Sequence, residues 1–126
     1  MARLTLHLGF GPGRSIEPDT IRLLEAVRDH GSISAAGKQT SVSYRHAWLL
    51  VDLLNRMFTE PVIKTKHGGV RGGGAELTPF GQRLVEHYRT MERKASAATA
   101  AELAELAAAA VPARAVNPTC QLSAER

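Results

Sequence analysis

The sequence predicts a mainly α domain that carries one small β-hairpin and ends in a long helix. Three observations support this. Apolar residues recur at helical spacing in four separate stretches. A tight break separates the second from the third. A β-branched segment leads into a glycine-rich run between the third and fourth.

Leu4, Leu6 and Leu8 alternate with Thr5, His7 and Gly9, the period-two pattern of one half-buried strand. Gly9-Phe10-Gly11-Pro12-Gly13 ends it in a loop. Pro18 suits the first turn of a helix, where its missing N–H costs nothing. Ile21, Leu24 and Val27, with Leu23 at their flank, give that helix a core face until Gly31 stops it.

Ser32 is placed to cap a second helix over Ile33–Gln39, in which Ala35-Ala36-Gly37 lets another helix cross closely. Thr40-Ser41-Val42 breaks the periodicity, and Ser43 can cap a third helix running to about Phe58. On this third helix Ala47, Leu50, Val51, Leu54 and Phe58 share a narrow stripe. Arg45, Asp52 and Arg56 point the opposite way, while Ser43, Tyr44 and His46 gather at the N-terminal end. A buried stripe behind a basic N-terminal turn is what a helix needs to lie in a DNA groove. Trp48, at the flank of the stripe, is assigned to the core or to helix packing in preference to stacking on bases.

Past Phe58 the chain changes character. Pro61–Lys66 alternates basic with apolar or hydroxyl residues, His67–Gly74 is rich in glycine, and Ala75–Thr78 reads as a returning strand. The result is a hairpin with a basic tip, a wing. The spacing from Gly68 to Gly73 imitates a P-loop, but Gly74 and Ala75 stand where Lys and then Ser or Thr are required. A nucleotide site is rejected on that ground.

Thr78 and Pro79 then open the last helix as cap and first residue. Its stripe comprises Phe80, Leu84, Tyr88, Met91 and Ala95, and the helical pattern runs through Ala97–Ala110 to end before Pro112. Some 30 helical residues would measure about 45 Å, longer than a compact three-helix core. Leu84, Tyr88, Met91, Ala95, Leu103 and Leu106 are therefore expected to face a second copy of the chain. The domain expectation is a winged helix-turn-helix over residues 1–94, overlapped by a dimerisation helix over 79–111, with a disordered tail at 112–126.

Charge agrees with a polyanionic partner. Residues 1–94 hold 14 Lys and Arg against 9 Asp and Glu, and Lys38–Arg71 holds six against two. The single cysteine, Cys120, has no partner for an internal disulfide, and no membrane span and no secretion signal are expected, which together lead to the expectation of a reducing cytoplasm. His7, His30, His46, His67 and His87 are scattered without metal-ligand spacing, and no catalytic grouping occurs. No cofactor, metal or enzymatic activity is expected.

With these elements placed, the chain resembles the N-terminal DNA-binding domain of the ModE family of molybdate-responsive transcriptional regulators. More distantly it is similar to the winged helix-turn-helix of LysR-type regulators. The residues that carry the resemblance are Gly31–Ser34, Ser43-Tyr44-Arg45 with Ala47-Trp48, Gly72–Ala75, and Leu77-Thr78 with Gly81–Leu84. It implies a homodimer on a pseudo-palindromic duplex, each third helix in a major groove and each wing on the backbone or minor groove. Members of the family carry C-terminal oxyanion-binding domains. This sequence, to Arg126, contains none, so no molybdate site is expected within it.

For contact with double-stranded DNA the residues expected are Tyr44, Arg45 and His46 at base edges and nearby phosphates. Ser32, Ser34 and Ser43 are expected at phosphates, Ser32 chiefly as a cap. Lys64, Lys66, His67 and Arg71 are expected along the wing. The alternative is a module that keeps this scaffold for protein assembly and does not read DNA.

Overall fold

The computed structural model describes residues 2–66 and 74–111. Residues 5–93 form one compact unit, and the described residues 2–4 and 94–111 belong to a second. In chain order the elements are β1 (Leu8–Gly9), β2 (Ser15–Ile16), α1 (Pro18–His30), α2 (Ile33–Gln39), α3 (Tyr44–Met57), β3 (Ile63–Lys66), β4 (Gly74–Leu77), α4 (Pro79–Ala98) and α5 (Ala100–Ala109).

The first strand is shorter than its alternation predicts, and it has a partner that the sequence reading missed. Only Leu8 and Gly9 pair, antiparallel with Ile16 and Ser15. Upstream the backbone turns to a different acceptor role: the Leu6 carbonyl takes a hydrogen bond from the Tyr88 hydroxyl at 2.8 Å.

Helix α1 begins at Pro18 as expected, with Glu17 and Thr20 closing a reciprocal cap. It stops at Gly31, whose φ of 73° is left-handed. Ile21, Leu23, Leu24 and Val27 are fully buried and form the centre of the core. Each such side chain contributes about 1.5–3 kcal/mol relative to exposure.

Helices α2 and α3 have the expected caps. Ser32 Oγ accepts from Ala35 N at 2.9 Å, and Ser43 Oγ accepts from His46 N at 3.1 Å. The turn between them depends on Gly37. Its N-terminal neighbours Ala35 and Ala36 are small, but at Gly37 itself even a Cβ would stand 2.9 Å from the Val42 carbonyl oxygen and 3.6 Å from Ala47 Cβ. That close approach lets α3 fold back on α2, with Val42 N donating to Gly37 O at 2.8 Å.

The wing strands β3 and β4 pair antiparallel, Ile63 with Leu77 through Lys66 with Gly74. Their buried residues Ile63, Ala75 and Leu77, with Val62 just before β3, join the same core as Ala47, Val51 and Leu54 of α3 and Leu84, Val85 and Tyr88 of α4. Ala75 N donates to Gly31 O at 2.8 Å and ties β4 to the end of α1. Thr78 caps α4, accepting from Gly81 N at 2.9 Å while donating to Pro61 O at 2.6 Å.

The long C-terminal helix is divided. α4 ends at Ala98 and α5 starts at Ala100, the backbone leaving helical geometry at Thr99 (φ −111°, ψ 11°), whose Oγ1 competes with its own N–H for Ala95 O at 2.8 Å. Helix ends at Ala109, ahead of Pro112, as a residue lacking an N–H requires. The expected tail over 112–126 lies outside the described residues. Among those described, no helix is long and apolar enough to cross a membrane.

Candidate nucleic-acid interface

Helix α3 positions the candidate site. Its buried face (Ala47, Val51, Leu54 and Met57) locks it onto the core. At 100° per residue, Arg45, Leu49, Asp52 and Arg56 then fall within about 60° of one another on the opposite face. All four are exposed. Arg56 pairs with Asp52 one turn earlier at 3.2 Å, an exposed contact of small energetic weight. Arg45 forms no ion pair among the described residues, so its guanidinium is available.

The N-terminal end of α3 is also open. Ser43, Tyr44 and His46 are exposed, and the first turn contains no acidic residue. A helix start presents N–H groups that no earlier carbonyl can accept, which favours a negative ligand. Ser34 is exposed on the first turn of α2, whereas Ser32 is half-buried and occupied as a cap.

Trp48 departs from its sequence assignment. It is 37% exposed and meets Tyr44, itself 62% exposed, edge-on with ring centroids 6.2 Å apart. Its angle of about 100° from the apolar stripe carries it clear of the core. Leu49, 55% exposed in the middle of the charged face, was not singled out from sequence. Its position between Arg45 and Arg56 on the outward arc was the available signal.

Asn55 is the residue that joins α3 to the wing. Its Oδ1 accepts from Val62 N at 2.7 Å and from Ile63 N at 3.0 Å, and its Nδ2 donates to Ile63 O at 3.1 Å. Helical periodicity puts Asn55 on the same flank as Tyr44 and Trp48. The wing base is thereby held on that flank, about two to three turns beyond the aromatic pair. On β3, Lys64 and Lys66 alternate outward with Ile63 buried and Thr65 half-buried between and before them. Lys66 pairs with Glu76 at 3.3 Å, while Lys64 has no ion pair among the described residues. His67 and Arg71, expected at the wing tip, lie outside the described residues.

The residues expected to meet a second copy divide into two groups. Leu84 and Tyr88 are buried in the core of their own chain, Tyr88 by its hydrogen bond to Leu6 and Leu84 by packing. They are unavailable to a partner, because the stripe of α4 is used up by the three-helix core. Met91 and Leu106 are 44% and 69% exposed, and Ala95 and Leu103 are half-buried.

Comparison with known proteins follows the same outline. The molybdenum transport protein ModE of Azotobacter vinelandii is 42% identical over 93 residues, which make up 73% of this chain and 33% of that protein. The transcriptional regulator ModE of Haemophilus influenzae is 37% identical over 78 residues, 62% of this chain and 31% of that protein. The chain is a homologue of the ModE regulators. It spans about a third of the length of these relatives. No family model matches the ModE-like chain. A solved complex of the CbnR DNA-binding domain with DNA superimposes with a TM-score of 0.55 at 22% identity, covering 72% of this chain and 99% of that one. That likeness shows a common winged-helix fold.

Proposed function

We propose that this ModE-like chain is the sequence-reading part of a transcriptional regulator and binds double-stranded DNA as a homodimer. The observation that carries the proposal is Arg45: exposed, unpaired among the described residues, and set at the start of a helix whose opposite face is buried. A guanidinium there can span guanine O6 and N7 in a major groove, worth about 1–3 kcal/mol of discrimination. Ser34, Ser43, Tyr44 and His46 surround it as donors to phosphates and base edges. Lys64 and Lys66, with His67 and Arg71 beyond them in sequence, supply the wing's positive charge to the backbone or minor groove. The homologues named as ModE regulators support the same role.

Met91, Ala95, Leu103 and Leu106 are the residues assigned to self-association, since an apolar face on an alanine-rich helix is stabilised by a second copy. A pseudo-palindromic duplex would match the resulting two-fold axis.

The exposed pair of Tyr44 and Trp48 favours a second reading, an assembly module that binds protein through that flank of α3. Selection from a random duplex pool, followed by titration across salt, decides between the two. A DNA reader enriches a defined sequence, and its affinity falls by about 0.9 log units per log unit of salt for each phosphate neutralised. An assembly module enriches none. Sedimentation of the chain with and without residues 95–126 tests the dimer: the shorter form should sediment as a monomer.

A further inference from the structure

Resting on that DNA-reading role, we propose that Leu49 is a specificity-determining residue that takes the C5-methyl group of a thymine in the major groove. An exposed leucine alone carries no such meaning, because single apolar side chains are common on protein surfaces. Its surroundings do. Leu49 is 55% exposed on the arc shared by Arg45, Asp52 and Arg56, opposite the buried face of α3. Leu54 on the same helix is buried at 1% and Leu53 is packed against the core, so folding has no use for the Leu49 side chain.

Charge selects the occupant. An apolar tip flanked along the helix by the unpaired Arg45 and by the Asp52–Arg56 ion pair is a poor seat for a greasy protein surface, which would have to desolvate those charges. It is a good seat for a polyanion that presents one apolar knob. Among the base edges in the major groove, thymine alone offers such a group, and a leucine has neither donor nor acceptor with which to read the others. Leu49 stands one turn beyond Arg45, about 6 Å along the axis. Successive bases on a strand are about 3.4 Å apart, so the thymine lies within about two steps of the guanine assigned to Arg45.

The test uses the full chain and the duplex enriched from the random pool. Each thymine of one half-site is replaced in turn by 2′-deoxyuridine, which removes the methyl group and leaves every hydrogen-bonding group in place. Covering one methyl is worth about a three- to fivefold change in affinity. The parent should lose that factor at one thymine near the Arg45-dependent guanine. Leu49→Ala, at an exposed position, should bind the thymine duplex more weakly by the same factor and be indifferent to uracil there, while Leu49→Met should keep the discrimination. Sequence-specific binding that ignores uracil at every position overturns the role of Leu49 and leaves the regulator reading standing. Discrimination that survives in Leu49→Ala does the same. Failure to enrich any duplex removes both.

Discussion

Asn55 and Ile63 exchange two hydrogen bonds across the joint between helix α3 and the wing. Ile63 N donates to Asn55 Oδ1 at 3.0 Å, and Asn55 Nδ2 donates back to Ile63 O at 3.1 Å. The same Oδ1 also accepts from Val62 N at 2.7 Å. One side chain thus satisfies backbone groups of both Val62 and Ile63 at the start of the wing. The wing's base is thereby fixed to the helix expected to read DNA.

Replacing Asn55 by Ala should therefore destabilise the domain well beyond an ordinary surface change. Buried N–H groups left unpaired cost about 1–3 kcal/mol each. Asn55→Asp keeps an acceptor for both N–H groups but turns a second carboxylate oxygen toward the Ile63 carbonyl, and with two N–H groups still paired it should cost less. Urea denaturation of the two variants measures the difference, and equal losses would mean that the acceptor role is unimportant.

At Gly81 the usual rule for helices is reversed. Glycine to alanine in an exposed helix interior stabilises by about 1 kcal/mol. Here a Cβ would collide with the Val62 carbonyl oxygen, backbone that cannot yield freely. Gly81→Ala should instead destabilise by about 1–3 kcal/mol, lowering the thermal midpoint by roughly 5–15 °C. A raised midpoint would show that α4 shifts away from β3 without cost.

Glu25 on α1 and Arg89 on α4 make a paired contact, Nε to Oε2 at 2.9 Å and Nη2 to Oε1 at 2.8 Å, with Glu92 on the remaining Nη1 at 2.8 Å. The hydrogen bonds from Arg89 hold the Glu25 carboxyl below its ordinary value of 4.5, against the opposing effect of burial. A carboxyl depressed in the folded state stabilises the fold above its unfolded pKa, and that stabilisation disappears as pH falls through the folded value. Glu25→Gln should thus cost about 1–2 kcal/mol at pH 7, both groups being partly exposed. The gap from the parent should narrow steadily below about pH 4.5. Denaturation at several pH values reads this directly, and a gap independent of pH would exclude the ion pair as its source.

Arg45 and Lys64 should fail in different ways. Arg45→Ala is expected to relax base preference at one position by about 1–3 kcal/mol. Lys64→Ala should weaken all duplexes alike and reduce the salt slope by about one. Competition binding over a set of singly substituted duplexes distinguishes the two patterns.

Much of this architecture was legible in the chain because it is governed by neighbours in sequence. Pro18, Gly31, Ser32, Ser43, Thr78 and Pro79 mark helix ends through contacts within a few residues, and the structure has α1, α2 and α4 starting where those signals stand. The outward arc of α3, with Arg45 on it, follows from helical periodicity alone.

What only the tertiary structure decided depends on residues far apart in the chain. The pairing of β1 with β2, the grip of Asn55 on Ile63, and the burial of Leu84 and Tyr88 inside their own chain each require a partner that no local pattern names. Trp48 and Leu49 belong to the same class, since periodicity sets the direction of a side chain but only packing decides whether anything covers it. Local backbone chemistry needs short-range information, whereas burial is a property of the assembled core.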